Sequence, residues 1–356
     1  MTAMQRVLTT LSHREADRVP LFLLTTMHGA KELGLTIEEY FSRAEPVIEG
    51  QMRLQHKYRS DCLYPFFYAP LEVEAFGAET LYCEDGPPNS GMPVIRALHD
   101  ITALEPPIVS RTRCLFKVLE AIDGLKRRVG DTLPIIGVVM SPFSLPVMQM
   151  GFDRYIELIY ENPALFERLM AVNEAFCVDW ANAQLAAGAT AICYFDPLSS
   201  PTNIPRALFL RTGHPIARRT LARIHGPTAT HLASGRGQEV LADLAETGTS
   251  VVGVSALEDL ATLKTAVAGR VTLLGNLNGV TMRHWNRETC FQQVREALAK
   301  AGRGGGFILS DNHGEIPFQV PDEVLLTIRE AVDQWGGHPM TWVETEEKAT
   351  GAQERS

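Results

Sequence analysis

Apolar runs alternate with amphipathic stretches along most of this chain, and that rhythm is its main structural signal. Short apolar runs bounded by turn residues read as buried strands. Apolar positions recurring every three or four residues read as helices buried on one face. Eight runs fit the first pattern: 21–24, 62–68, 134–140, 191–195, 228–233, 250–254, 271–274 and 307–310. Pro65 weakens the second of them, because proline gives no hydrogen to a ladder. Helices are predicted between the runs, for example over 115–128, and after Asn162-Pro163, where Leu165, Phe166, Leu169, Met170, Phe176 and Cys177 recur at helical spacing. Thr36 with Glu39, and Ser255 with Glu258, read as capping boxes, and Asn286 reads as a single cap.

Eight strand–helix units in alternation predict an α/β protein built as a single (β/α)8 barrel of the TIM type. An open doubly wound sheet would carry a phosphate-binding glycine loop after its first strand, and Leu24-Thr25-Thr26-Met27-His28-Gly29 is not one. Residues 4–20 precede the first strand as a helical extension. Residues 72–99 are rich in Gly and Pro and predict an inserted loop and hairpin over the catalytic face. No linker divides the chain, so residues 1–338 are expected as one barrel and 339–356 as a polar, disordered tail.

Composition narrows the function classes. Of 356 residues, 33 are basic and 42 acidic, a net charge of −9 with no basic cluster, which argues against nucleic acid as a partner. No run is long enough to cross a membrane, and Arg6, His13, Arg14 and Arg18 interrupt any signal-peptide-like stretch, so a cytoplasmic location is expected. The six cysteines form no CxxC pair and read as reduced core residues.

A parallel barrel presents its reactive groups at the C-terminal ends of its strands. Those ends supply Tyr68, Met140-Ser141, Asp196, His231, Asn276 and Asp311-Asn312-His313. His313, followed by Gly314, is the leading candidate for proton transfer or ligand binding near neutral pH. Asp196 divides evenly between an acid/base group and a turn-forming residue before Pro197. His231 lies within its strand and reads first as a core residue, and catalysis or metal binding is its second reading. Tyr68, Met140, Ser141, Asn276 and Asp311 are candidates to shape a substrate pocket. Asp311-x-His313 begins like a corrinoid-carrier signature, but Ile316 stands where that pattern needs glycine.

Several stretches resemble the uroporphyrinogen decarboxylase superfamily over residues 4–337. They are Arg6-Val7 with 12–20, Asp61, 74–77, 141–144, 244–248, 275–277 and His313-Gly314. The resemblance implies a (β/α)8 barrel with two branches, porphyrinogen decarboxylases and zinc-dependent, corrinoid-linked methyltransferases. Decarboxylases of this family grip their substrate's carboxylates with arginines after the first strand, and Thr25–Lys31 has none. Tyr68 stands where they use an aspartate, and His313 matches their terminal histidine. The methyltransferases ligate zinc through His-x-Cys and a later Cys, and those positions here are Leu232, Ser234 and His313. A slipped strand would bring His231 beside His313 and Asp196, giving three ligands sufficient for catalytic zinc.

The expectation is therefore a methyltransferase of one-carbon metabolism. It would move a methyl group between a small methylated substrate and a corrinoid (cobalamin) carried by a separate partner protein. His313 or Asp196 would supply the proton, and the family habit implies a homodimer. The alternatives are a decarboxylase or lyase on another substrate, and a tetrapyrrole- or corrinoid-binding protein without catalysis.

Overall fold

The strands form where the apolar runs lie, because each run can bury both of its faces between a barrel interior and an outer layer of helices. The computed structural model describes residues 1–267, 269–343 and 345. Nine strands are present among them: β1 (Leu21–Phe22), β2 (Thr80–Leu81), β3 (Asn89–Ser90), β4 (Ile136–Met140), β5 (Ala191–Phe195), β6 (Thr228–His231), β7 (Val251–Gly253), β8 (Thr272–Leu277) and β9 (Phe307–Asp311). Seven of them make a curled parallel sheet in the order β1-β9-β8-β7-β6-β5-β4, and β2 pairs with β3 as a separate antiparallel hairpin. This arrangement matches the expected TIM-type architecture, and the hairpin lies inside the predicted insertion.

The second predicted strand, 62–68, is reduced to a single bridge. Leu63 pairs in parallel with Ile135, and the Asp61 N–H donates to the Leu21 carbonyl at 2.8 Å. This short segment therefore touches both edges of the curled sheet, β1 on one side and β4 on the other. Past Leu63 the chain leaves the ladder, as Pro65 requires. The edge of β4 that it abandons is satisfied by side chains. Gln184, from the helix Pro163–Ala187, accepts from Val138 N–H at 3.0 Å and donates to its carbonyl at 2.8 Å. Glu72 Oε1 accepts from Met140 N–H at 2.9 Å. The barrel wall is thus split between residues 65–70 and β4.

The interior of the sheet is filled by Phe22, Leu24, Tyr64, Val138, Cys193, Val251, Leu274 and Ile308, and Val7 of the helix Ala3–Leu11 packs against them. All six cysteines are free thiols, five of them buried. Two local expectations hold: Thr36 with Glu39 makes the capping box, and Asn286 accepts from Thr289 N–H. The Ser255–Glu258 box does not form. The Glu258 carboxylate instead accepts from Gly237 and Gln238 N–H, and the following helix starts at Leu260. Past Pro339, Met340 and Val343 pack into the main core, and the Trp342 indole donates to the Trp335 carbonyl, so apolar contact extends beyond the expected domain end. Residues 344 and 346–356 of the expected tail lie outside the described residues.

The N-terminal extension is tied to the closing segment by charge. Asp61, only 2% exposed, accepts from Arg6 Nη1 and Arg18 Nη1 at 2.7 Å each and from Leu21 N–H at 2.8 Å. Removing this carboxylate leaves two guanidinium groups in a site built to neutralise them. Asp61→Ala is expected to lower the unfolding free energy by about 3 kcal/mol. Denaturant unfolding of the two proteins checks this, and an unchanged midpoint would remove the knot's structural role.

Candidate active site

Parallel strands bring their C-terminal ends to one rim, and a cavity of about 370 Å³ opens there. Its wall is mainly apolar, with Phe66, Tyr68, Met140, Met148 and Phe195 among the lining residues, and Pro87–Ser90 of the hairpin loop also contribute. Among the described residues the imidazole of His313 and the carboxyls of Glu315 and Glu72 line it, with hydrogen-bonding capacity suited to proton transfer.

The turn after β9 presents the first two. Asp311 Oδ2 accepts from the N–H groups of His313 at 2.8 Å and Gly314 at 2.7 Å, which folds the chain back over the strand end. His313 Nδ1 is hydrogen-bonded to Ser234 Oγ at 2.6 Å, which orients the ring. Ser234 and Ala233 both have left-handed backbone, with φ of 70° and 46°, an uncommon conformation for residues with side chains. Ser234 N–H donates to the Asn312 carbonyl at 2.9 Å, so the two loops hold each other. Gly314 has φ of 87°, and a Cβ there would lie 2.2 Å from the Phe195 ring, so only glycine fits. Glu315 accepts from the Thr26 hydroxyl, and burial pushes its carboxyl up to about 7, the nearby Asp311 adding to the rise. That value suits a general acid at neutral pH.

Glu72 faces the same cavity from the split in the wall. Burial pushes its carboxyl up to about 8, against the opposing pull of Met140 N–H and the Trp180 indole. At neutral pH it is largely a protonated acid and therefore a donor.

Tyr68 and Met140 line the cavity, as the sequence suggests. The Tyr68 hydroxyl donates to Glu74 Oε2 at 2.7 Å and accepts from Lys117 Nζ at 2.9 Å, so it belongs to a wall network. Other candidates are held away from the cavity. Asp196 is fully buried, and the hydroxyls of Ser141, Ser144 and Ser199 donate to its carboxylate at 2.6, 2.7 and 2.5 Å. Ser141 is consumed by that knot, which ties the loops after β4 and β5. The Asn276 amide donates to the carbonyls of Ser255 and Glu258. Asp311 shapes the His313 turn and lies outside the cavity wall.

His231 is fully sealed. It stacks on Phe195 at 4.9 Å between ring centroids, and Phe195 stacks in turn on Phe66. Its Nδ1 accepts from Ala233 N–H at 3.0 Å. Burial pushes its imidazole down to about 3, and the neighbouring His313 adds to this, so it stays neutral. The zinc expectation is met by no suitable donor set: among the described residues no three His, Cys, Asp or Glu side chains are grouped to hold a metal. His231 and His313 each spend one ring nitrogen on protein, and Asp196 is closed by serines.

Sequence reasoning missed Glu72, Glu315 and Trp180. Glu315 was open to detection, since it lies two residues beyond His313 in the same turn. Glu72 and Trp180 sit within helices and carry no motif; only the split wall brings them to the cavity.

Comparison with known proteins agrees with this architecture. A methyltransferase from Methanosarcina mazei superposes with a TM-score of 0.85 at 21% identity, over 94% of this chain and 99% of the other, which shows the shared fold. A B12-independent methionine synthase from Shewanella gives a TM-score of 0.53 at 13% identity, over 96% of this chain and 99% of that one. Among curated sequences, a protein named uroporphyrinogen decarboxylase from Methylococcus capsulatus is 29% identical over 78% of this chain and 81% of its own length. The family model described as uroporphyrinogen decarboxylase (URO-D) matches residues 2–335, and this chain belongs to that family.

Proposed function

We propose that this protein is a methyltransferase that moves a methyl group between a small uncharged methylated substrate and a corrinoid carried by a separate protein. One observation carries the reading. Among the described residues the cavity wall, largely apolar, includes Glu72 and Glu315 but no lysine or arginine. A polycarboxylate such as a porphyrinogen would find carboxyl groups there and no cation, and an unpaired buried charge is strongly disfavoured. A small neutral molecule meets no such penalty. The fold shared with a methyltransferase supports the same branch of the family.

The chemistry follows from what the mouth can supply. A methyl group on oxygen or nitrogen leaves readily once the atom that held it is protonated. Glu315, protonated below about 7, donates that proton as the carbon–heteroatom bond breaks and the methyl passes to the acceptor. His313, oriented by Ser234, binds the leaving atom at the rim. The corrinoid would serve as methyl acceptor. The aromatic wall of Phe66 and Phe195 keeps water from competing for the methyl group.

Turnover with a methyl donor and a methyl-accepting corrinoid protein tests this directly. His313→Ala and Glu315→Gln are each expected to lower kcat by about a hundredfold, the first by losing a hydrogen-bond partner of the leaving atom and the second by losing the proton donor. Carbon dioxide release in place of methyl transfer would overturn the reading. Because Glu315 acts in its protonated form, the wild-type rate should fall as pH rises through about 7. In Glu315→Gln that limb disappears; a fall that survives unchanged would place the proton elsewhere. Metal analysis of the purified protein is expected to find less than stoichiometric zinc. Stoichiometric zinc lost in both His231→Ala and His313→Ala would overturn the metal-free mechanism.

A further inference from the structure

Ser234 is held on every side. Its backbone is left-handed, its N–H donates to the Asn312 carbonyl at 2.9 Å, and its own carbonyl accepts from Ser255 Oγ at 2.8 Å. The Ser255 carbonyl accepts in turn from Asn276 Nδ2 at 2.9 Å. The loops after β6, β7 and β9 and the end of β8 are thereby tied around one hydroxyl, and that hydroxyl lies 2.6 Å from His313 Nδ1. Backbone strain kept in place by such ties points to a use for the side chain it presents.

That bond decides where the imidazole carries its proton. A neutral imidazole has one N–H and one bare nitrogen, and the partner of one nitrogen sets the state of the other. Among the described residues Ser234 Oγ is hydrogen-bonded to His313 Nδ1 alone. Its hydroxyl hydrogen therefore finds its acceptor in a bare Nδ1, and the ring proton sits on Nε2. A second proton would go to Nδ1 and leave Nε2–H a donor all the same. Nε2 has no hydrogen-bond partner among the described residues, and His313 is exposed and lines the cavity. Glu315 lines the same cavity with part of its surface open. Its Oε1 is taken by the Thr26 hydroxyl, so the acid proton is carried by its other oxygen.

We infer that Ser234 is a positioning residue that fixes His313 as the Nε2–H tautomer, and that the pair of donors this makes with Glu315 selects a methyl ether as substrate. The inference rests on the methyl-transfer reading of the cavity and narrows its substrate class. An ether oxygen has two lone pairs and accepts from both donors at once. An amine nitrogen has one lone pair, so one donor stays unpaired, and any N–H it carries would face that donor. An unmatched donor in such a site costs affinity. As the carbon–oxygen bond breaks, its electron pair stays on oxygen. The oxygen takes the Glu315 proton and departs as an alcohol or phenol, while the methyl passes to the corrinoid. Phe66 and Phe195 in the wall suit an apolar or aryl remainder.

Two measurements on the whole protein test this, and the first needs no ligand. Long-range proton–nitrogen NMR of histidine-labelled protein in alkaline buffer, where the ring is neutral, reports the tautomer. The His313 signals are those lost in His313→Phe. Wild type is expected to show a bare Nδ1 and a protonated Nε2, and in Ser234→Ala the two nitrogen shifts should move toward each other as tautomers mix. A proton on Nδ1 in wild type, or shifts unchanged in Ser234→Ala, overturns the proposal. The second measurement is calorimetric binding of anisole against N-methylaniline, of the same shape, below about pH 7, where Glu315 keeps its proton. Anisole is expected to bind about tenfold more tightly, the scale of one hydrogen bond. His313→Phe should cut that ratio several-fold, while ethylbenzene, which has no polar atom, binds within about twofold of its wild-type affinity. Equal binding of anisole and N-methylaniline by wild type overturns the proposal, as does a ratio that survives His313→Phe, or failure of anisole to bind. The expected tautomer and ether preference without methyl transfer from anisole to a corrinoid protein would instead count against the methyl-transfer reading.

Discussion

The missing ladder between the second strand segment and β4 is the constraint on which the site depends. A parallel barrel must satisfy the backbone of every strand, and one proline after Leu63 withdraws a partner from β4. Gln184 and Glu72 take over Val138 and Met140, at 2.8–3.0 Å and 2.9 Å. The repair costs Glu72 its solvent and so raises its carboxyl, and it leaves a passage where a closed wall would stand. Structure and chemistry at the mouth therefore share one cause.

On the other side of the mouth, the polar residues that look most catalytic are used as mortar. Three serine hydroxyls close around Asp196, backbone carbonyls hold Asn276, and His231 is packed flat on Phe195. Each joins a βα loop to its neighbour, and such ties allow the left-handed pair Ala233-Ser234 to persist beside His313. Rigid loops matter because a proton donor displaced by about 1 Å loses most of its effect. The ionisable groups left facing the cavity are few, and their environment sets their state. Glu315 sits near neutrality through burial and the proximity of Asp311, and His313 takes its orientation from Ser234.

Sequence by itself determined the architecture. Apolar runs of strand length separated by helical periodicity admit few arrangements other than a parallel barrel, and the rim position of His313 follows from its place after the last run. The hairpin insertion and the caps at Thr36 and Asn286 were equally legible, because a cap or turn depends on residues three apart. Where a polar residue had to choose between partners distant in sequence, local pattern could not decide. Glu258 has the right spacing to box with Ser255 but binds Gly237 and Gln238 across the sheet rim. Asp196 and a catalytic aspartate look alike until Ser141, Ser144 and Ser199 arrive from two loops. Glu72 and Trp180 lie in separate helices with no motif between them, and only folding sets both beside the same cavity. Tertiary structure alone decides such cases, since burial and partner geometry, which set the charge and reach of a side chain, are properties of the packed chain.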